Sequence, residues 1–252
     1  MMSIKVKETS MITPAEATPK TSLWLSKLDM IIRTPYSHTN VLFLYNNHNN
    51  DDNNSSSTYF DTNILKESLS KSLVPFYPMA GRLTFDSEKQ RYEIDCNAEG
   101  ALFIEAESPQ TLAEFGDYTK LECQLRKFVF PTCDYSNGLS SFPLLLVQVT
   151  RFKCGSVSLG FAQHHHVADG FSHLHFINSW ARLAKGLEIV IEPVHDRATY
   201  LSPRQPPLVQ FQHLEYDPPL PPMPLSGACV SSISLLPILC LLTYRLCSFQ
   251  LI

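Results

Sequence analysis

Several marks of familiar chemistry are missing from these 252 residues. No C-x-x-C occurs among the seven cysteines: Cys96, Cys123, Cys133, Cys154, Cys229, Cys240 and Cys247. The odd count and the length of the chain argue against a disulfide framework and predict reduced thiols, mostly buried, in the cytosol. No G-x-S-x-G elbow is present, which removes the usual serine-hydrolase nucleophile. Charged residues are few, 17%, with a net charge of −4 and no basic stripe, so nucleic acid is not an expected partner. Residues 1–20 hold no apolar h-region, and the expected compartment is cytoplasmic. No internal repeat is found.

What is there is an apolar share of 44%, enough for a sizeable core. Ile4, Val6 and Glu8 begin a short alternating strand, and Val41 to Tyr45 has strand length. The polar tract over 46–57 cannot bury enough surface to order itself and reads as a solvated loop. Asp61 is placed to cap a helix carrying Ile64, Leu65, Leu69 and Leu73, which Pro75 stops. Gly81 to Phe85, Tyr92 to Asp95 and Leu102 to Glu105 are short strands. Phe142 to Phe152 and Ser156 to Gln163 form an antiparallel hairpin around Lys153-Cys154-Gly155. Phe171, Leu174, Ile177, Ala181 and Ala184 mark one helical face, with Gly186 as the stop.

From Pro193 the character changes. Eight prolines between Pro203 and Pro224 exclude regular helix and central strand. The chain thus divides into a folded domain over 1–192, a Pro-rich crossover or linker over 193–225, and an apolar tail over 226–252. The tail, broken by Pro237, falls short of the roughly 20 apolar residues of a membrane span. It is read as an aberrant terminus rather than an anchor.

The most informative stretch is His164-His165-His166-Val167-Ala168-Asp169-Gly170, between an apolar strand and an amphipathic helix. Strand alternation puts His164 and His166 on one face and His165 on the other. An imidazole held at such a corner suits a general base, since its pKa of about 6.5 leaves it neutral at cellular pH. A satisfied structural histidine has the same spacing. A zinc site is the third reading, but adjacent strand residues point apart and no nearby Cys or Glu completes a tetrahedron, so no metal is expected. Asp169 either orients His165 as in a triad or caps the helix while Gly170 allows tight packing. The cap is favoured because it needs no third partner.

His165-His166-Val167-Ala168-Asp169-Gly170-Phe171-Ser172 follows Leu73-Val74-Pro75-Phe76-Tyr77-Pro78-Met79-Ala80-Gly81-Arg82-Leu83, Glu93-Ile94-Asp95-Cys96-Asn97 and Ser141 to Thr150. Thr13 to Pro19, Leu23-Trp24-Leu25-Ser26 and Leu174 to Trp180 complete the set. On these segments, from Ile4 to Asp217, the chain resembles the plant BAHD acyltransferases, nearest their shikimate/quinate hydroxycinnamoyltransferase branch. The resemblance implies an α/β fold of the chloramphenicol-acetyltransferase type, with a mixed, largely antiparallel sheet and flanking helices. It implies transfer of a hydroxycinnamoyl group, p-coumaroyl or caffeoyl, from CoA to an acceptor hydroxyl or amine, with shikimate and quinate as the branch's acceptors. His165 would be the general base and Asp169 and Gly170 structural members of the motif. Acyl-CoA would be a co-substrate, no cofactor would be bound, and the intact family protein would be a monomer.

Two departures qualify this. The family's second domain and its D-F-G-W-G motif are missing, and Glu114-Phe115-Gly116-Asp117 is no substitute. The chain as written is therefore expected to be weak or inactive, with a non-enzymatic decoy or a gene-model artefact as alternatives. A branch segment reading H-T-P-S-V-Y-F-Y, which lines the site, is here His38-Thr39-Asn40-Val41-Leu42-Phe43-Leu44-Tyr45. His38, Thr39, Val41 and Phe43 are the candidate substrate pocket, with two hydroxyls lost at Val41 and Phe43. That disfavours a polyol such as shikimate, unless Val41 and Phe43 are simply strand core.

Overall fold

A computed structural model describes residues 3–30, 35–45, 60–115, 130–206 and 208. The apolar alternations become two sheets. The larger is built from β1 (Lys5–Ile12), β3 (His38–Tyr45), β6 (Ala101–Ser108), β7 (Leu145–Phe152) and β8 (Val157–His164), in the order β1-β6-β7-β8-β3. Only β6 and β7 run parallel; every other pair is antiparallel. The smaller is antiparallel, order β2-β5-β4, from β2 (Ser22–Trp24), β4 (Arg82–Asp86) and β5 (Arg91–Asp95). With helices α1 (Thr62–Ser72), α2 (Gly170–Ala184) and α3 (Arg197–Leu201), this is the expected mixed, largely antiparallel α/β fold.

The β7–β8 hairpin closes where expected. Phe152 N–H donates to the Ser156 carbonyl at 2.9 Å, and Gly155 N–H donates to the Phe152 carbonyl at 2.9 Å. Its first strand starts at Leu145 rather than Phe142, because Pro143 has no N–H for the ladder. Both strands are buried almost throughout. Val157, Leu159 and Phe161 share one side of β8, and Phe161 meets the Trp180 ring edge-on at 5.7 Å. Ser158, Gly160 and Ala162 give the opposite side its small residues.

Asp61 caps α1, accepting from Asn63 and Ile64 N–H at 2.8 and 3.1 Å. The helix ends at Leu73, two residues before Pro75. In α2 the expected face is only partly right: Ile177 is buried and Ala184 packs against the core, but the other three positions face outward. Phe171 is 77% exposed and Leu174 49%, and Ala181 is exposed. The buried face is His173, Phe176, Ile177, Ser179 and Trp180. Trp180 decides the rotation of the helix. Its indole is buried and donates to the Leu65 carbonyl at 3.1 Å and to Ser68 Oγ at 2.9 Å, tying α2 to α1. Burying Phe176 and Trp180 outweighs burying Phe171 and Leu174, because large aromatic rings carry the most apolar area. Gly186 stops the helix at φ +71°.

The Pro-Phe-Tyr-Pro-Met-Ala-Gly-Arg-Leu run is architectural. Pro78 opens a 3₁₀ turn over Tyr77–Ala80. Gly81 then passes so close to β5 that a Cβ there would lie 2.4 Å from the Asp95 carbonyl oxygen. Buried Arg82 donates to the carbonyls of Gly81 and Gly100 at 2.8 and 2.9 Å.

The described cysteines are less buried than expected. Of the described cysteines, Cys96 is buried, Cys133 half-buried and Cys154 exposed at the hairpin turn, all with free thiols. α3 occupies the proline-free window between Pro193 and Pro203, ahead of the prolines that exclude regular helix, and is capped by Asp196, which accepts from Thr199 N–H at 3.0 Å. The polar tract over 46–57, the tail over 226–252 and the prolines from Pro218 onward lie outside the described residues, as do Gly116 and Asp117.

Candidate active site

The three histidines sit where β8 gives way to a turn that leads into α2. Each step of that turn is tied to a different part of the fold. His164 N–H donates to the Leu144 carbonyl at 2.8 Å, His165 N–H to the Ser37 carbonyl at 3.3 Å, and Val167 N–H to the His164 carbonyl at 3.0 Å. Buried Gln163 donates from Nε2 to the Ala168 carbonyl at 2.9 Å. Arg197 donates from Nη2 to the Val167 carbonyl at 2.7 Å.

His164 and His166 turn the same way and are both buried, with ring centroids 4.8 Å apart. The strand ends at His164, so a turn rather than sheet alternation sets His165 and His166. His164 stacks on Phe142 at 5.7 Å, and its Nε2 meets the Pro35 carbonyl at 2.8 Å. Burial pushes its pKa down to about 3 against that hydrogen bond, so the ring is neutral. His165 differs from both neighbours in its exposure. Its ring is half-buried, and its Nδ1 is enclosed with no hydrogen-bond partner among the described residues.

Asp169 is the N-cap of α2 and accepts from Ser172 N–H at 2.8 Å. Burial pushes its carboxyl up, but the Ser172 bonds and the nearby His165 ring outweigh this and hold it below the usual range. Gly170 has open space where a Cβ would stand, so the expected tight packing there is absent. Its place at the helix start is compatible with any small residue.

The candidate pocket residues lie on β3, paired with β8 as His38↔His164, Thr39↔Gln163, Val41↔Phe161 and Phe43↔Leu159. Alternation separates His38 from the other three. Both nitrogens of His38 are engaged, Nδ1 with Tyr135 Oη at 2.6 Å and Nε2 with the Pro143 carbonyl at 3.0 Å. Burial pushes its pKa down to about 4. Val41 and Phe43 pack against the main core, Phe43 edge-on to Phe161 at 6.0 Å. Thr39 is exposed beside the end of β8.

Sequence reasoning missed Ser37, Gln163, His173 and Arg197. His173 is buried on α2, edge-on to Phe161 at 5.8 Å, with Nε2 unpartnered among the described residues, and burial pushes its pKa down to about 4. No motif marks these residues. The capping pair Asp196 and Thr199 was the one sequence signal that could have placed Arg197 on a helix. Among the described residues no group of three or more His, Cys, Asp or Glu could hold a metal ion.

A half-buried imidazole on a turn fixed from four directions can accept a proton without first finding its geometry. Comparison with known proteins bears on what would supply that proton. The sequence profile of the Transferase family matches residues 2–226. Anthranilate N-benzoyltransferase protein 1 of Dianthus caryophyllus is 58% identical over 226 residues, covering 88% of this chain and 50% of that protein. Shikimate O-hydroxycinnamoyltransferase of Nicotiana tabacum is 49% identical over 218 residues, covering 86% and 47%. The chain spans about half the length of the curated relatives it matches. Among solved structures, vinorine synthase superposes with a TM-score of 0.63 at 27% identity, covering 83% of this chain and 51% of that one. The F. graminearum TRI101 complex with coenzyme A and T-2 mycotoxin shares the fold, with a TM-score of 0.51 at 14% identity over 70% of this chain and 41% of that one.

Proposed function

Because the chain belongs to the Transferase family, the BAHD acyltransferases, we propose that it serves transfer of an aromatic acyl group, hydroxycinnamoyl or benzoyl, from CoA to an acceptor amine or hydroxyl. His165 is the general base of this reading. The observation that carries it is the contrast among the three histidines. His164 and His166 are buried, whereas His165 is half-exposed with Nδ1 enclosed, which leaves Nε2 as the nitrogen that can meet an incoming nucleophile. As the acceptor's nitrogen or oxygen bonds to the thioester carbonyl carbon, its proton passes to Nε2. The tetrahedral oxyanion then collapses, the C–S bond breaks, and the imidazolium returns the proton to the departing thiolate. A base so placed contributes about 10²–10⁴ in rate. Acyl-CoA is a substrate here, and no metal takes part.

As acceptor, an aromatic amine of the anthranilate kind is favoured over the shikimate or quinate of the branch. The support is that the carnation anthranilate N-benzoyltransferase is 58% identical and the tobacco shikimate enzyme 49%. The test incubates the chain with benzoyl-CoA or p-coumaroyl-CoA and with anthranilate or shikimate, and follows free CoA thiol and product mass. Slow formation of product from anthranilate, lost in His165→Ala, is the expected result. Near-normal turnover in that variant would reject the base assignment.

A second reading has its own observation. Phe171 and Leu174 stand exposed on α2, and such apolar surface recruits partners. In this reading the chain is a non-enzymatic decoy that pairs with an intact relative. No product from any donor and acceptor pair, together with co-elution with the full-length carnation protein on size exclusion, would favour it.

A further inference from the structure

We infer that Arg197, on the short helix α3, is a positioning residue for His165 that acts through the backbone of the turn, with Asp29 as its anchor. The inference rests on the proposed role of His165. The Arg197 guanidinium bridges two segments far apart in the chain. Its Nη2 donates to the Val167 carbonyl at 2.7 Å, two residues beyond His165, and its Nε lies 3.4 Å from Asp29 Oδ2. Both side chains are largely enclosed, 14% and 17% exposed, so solvent screens this pair less than a surface pair. Asp29 does not move to meet the arginine, because it is locked already. Asp29 Oδ2 accepts Ser26 N–H at 2.7 Å, and Ser26 Oγ accepts Asp29 N–H at 3.1 Å.

The helix that carries Arg197 is held as firmly. His195 Nε2 meets the Pro75 carbonyl at 2.8 Å, its ring stands edge-on to Tyr77 at 4.8 Å, and Asp196 caps the helix. Two other ties hold the turn: the His165 N–H donates to the Ser37 carbonyl, and Gln163 Nε2 donates to the Ala168 carbonyl. Without Arg197, the Val167 carbonyl loses a charged donor that no other described residue replaces, and the turn is released on the side facing α3. A rigid planar fork spans two acceptors in a way a lysine ammonium does not.

The experiment compares the chain with Arg197→Met, Arg197→Lys and Asp29→Asn by amide hydrogen exchange and, with the best donor and acceptor pair, by kcat and KM. In Arg197→Met the His165 and Val167 amides should exchange at least about tenfold faster, while the β7 and β8 core amides stay unchanged. kcat should fall about 10- to 100-fold with KM for acyl-CoA within about twofold, because misplacing a base costs turnover rather than binding. Arg197→Lys should recover only part, Asp29→Asn should move both readouts the same way by less, and added guanidinium should partly restore Arg197→Met. Unchanged exchange at His165 and Val167 overturns the inference. So does faster exchange with kcat unmoved, or a kcat loss that only tracks the unfolded fraction. If the parent chain shows no transfer, the proposed function fails, and the clamp is then judged on exchange alone.

Discussion

Acid should destabilise this protein well above the pH at which its carboxylates titrate, and the buried histidines set the size of the effect. His164 and His173 are buried and His38 is half-buried, and all three are neutral, with pKa values pushed down by burial to about 3, about 4 and about 4. In the unfolded chain each returns to about 6.5. A depressed imidazole pKa means that the unfolded state binds more protons, so stability rises with pH through this window. The contribution is complete above about pH 6.5 and is lost as pH falls from there toward the folded values. At pH 5 each ring costs about 2 kcal/mol relative to pH 7.5, because one pKa unit corresponds to about 1.4 kcal/mol. Three rings together cost about 6 kcal/mol, against a total stability of about 5–15 kcal/mol for an ordinary domain. Acidic groups held low, such as Glu93 and Asp169, titrate below this window. His195, also pushed down by burial, adds in the same direction. Urea melts followed by fluorescence of Trp24 and Trp180 at pH 7.5, 6.5, 5.5 and 5.0 measure the effect. The midpoint should fall steeply between pH 6.5 and 5. His173→Phe, which keeps a ring edge against Phe161, should reduce the loss by about 2 kcal/mol. A midpoint flat across the series would refute the claim that these rings are buried neutral in the fold and exposed on unfolding.

Other outcomes follow from single contacts. Asp169→Ala should cost about 1 kcal/mol by removing the α2 cap, whereas Asp169→Asn should cost little, because asparagine caps as well; thermal melts of both variants separate the cap from the charge. Gly81→Ala should destabilise by about 1–3 kcal/mol, since its Cβ meets the Asp95 carbonyl oxygen at 2.4 Å and backbone must move; equal denaturation midpoints would show that β4 and β5 part freely. Trp180→Phe keeps most of the buried area but removes the indole bonds to the Leu65 carbonyl and Ser68 Oγ, while Ser68 Oγ still donates to that carbonyl at 3.1 Å, so the cost should be about 0.5–1.5 kcal/mol, read as a shift in the urea midpoint with an unchanged m-value. Leu174→Glu should leave stability within about 0.5 kcal/mol, because that side chain is exposed on α2; a large loss would place it in a packed contact.

Strands and helix ends were legible because each has a local cause. Asp61 caps, Pro75 stops, Gly186 takes positive φ and Gly155 turns the hairpin, and all four act within a few residues. The buried face of α2 was not legible because its sequence carries two apolar stripes. Phe171 and Leu174 form one, Phe176 and Trp180 the other, and helical periodicity alone cannot rank them. The indole bond to Leu65, made across the interior, ranks them. The pocket reading failed to separate for a similar reason. His38, Thr39, Val41 and Phe43 look like one group in sequence, but a strand sends His38 to one face and the others to the opposite one. His165 was legible as a candidate because its neighbours define a corner. Alternation already separates it from His164 and His166, and the separation in burial holds, although a turn rather than the strand makes it.

The two motifs that carried the resemblance meet in the fold, and the segment between Pro193 and Pro203 joins them. The Pro-Phe-Tyr-Pro corner supplies the Pro75 carbonyl and the Tyr77 ring that fix His195. Two residues later Arg197 reaches the Val167 carbonyl inside the histidine turn. A rigid corner at the end of α1 is thereby connected to the placement of His165 through one short helix. Under the proposed role of His165, the corner motif acts on the base through this one short helix. It also accounts for the folding of a segment whose proline content excludes a long helix. Five proline-free residues, capped by Asp196, are enough when their task is to hold one guanidinium between Asp29 and the turn.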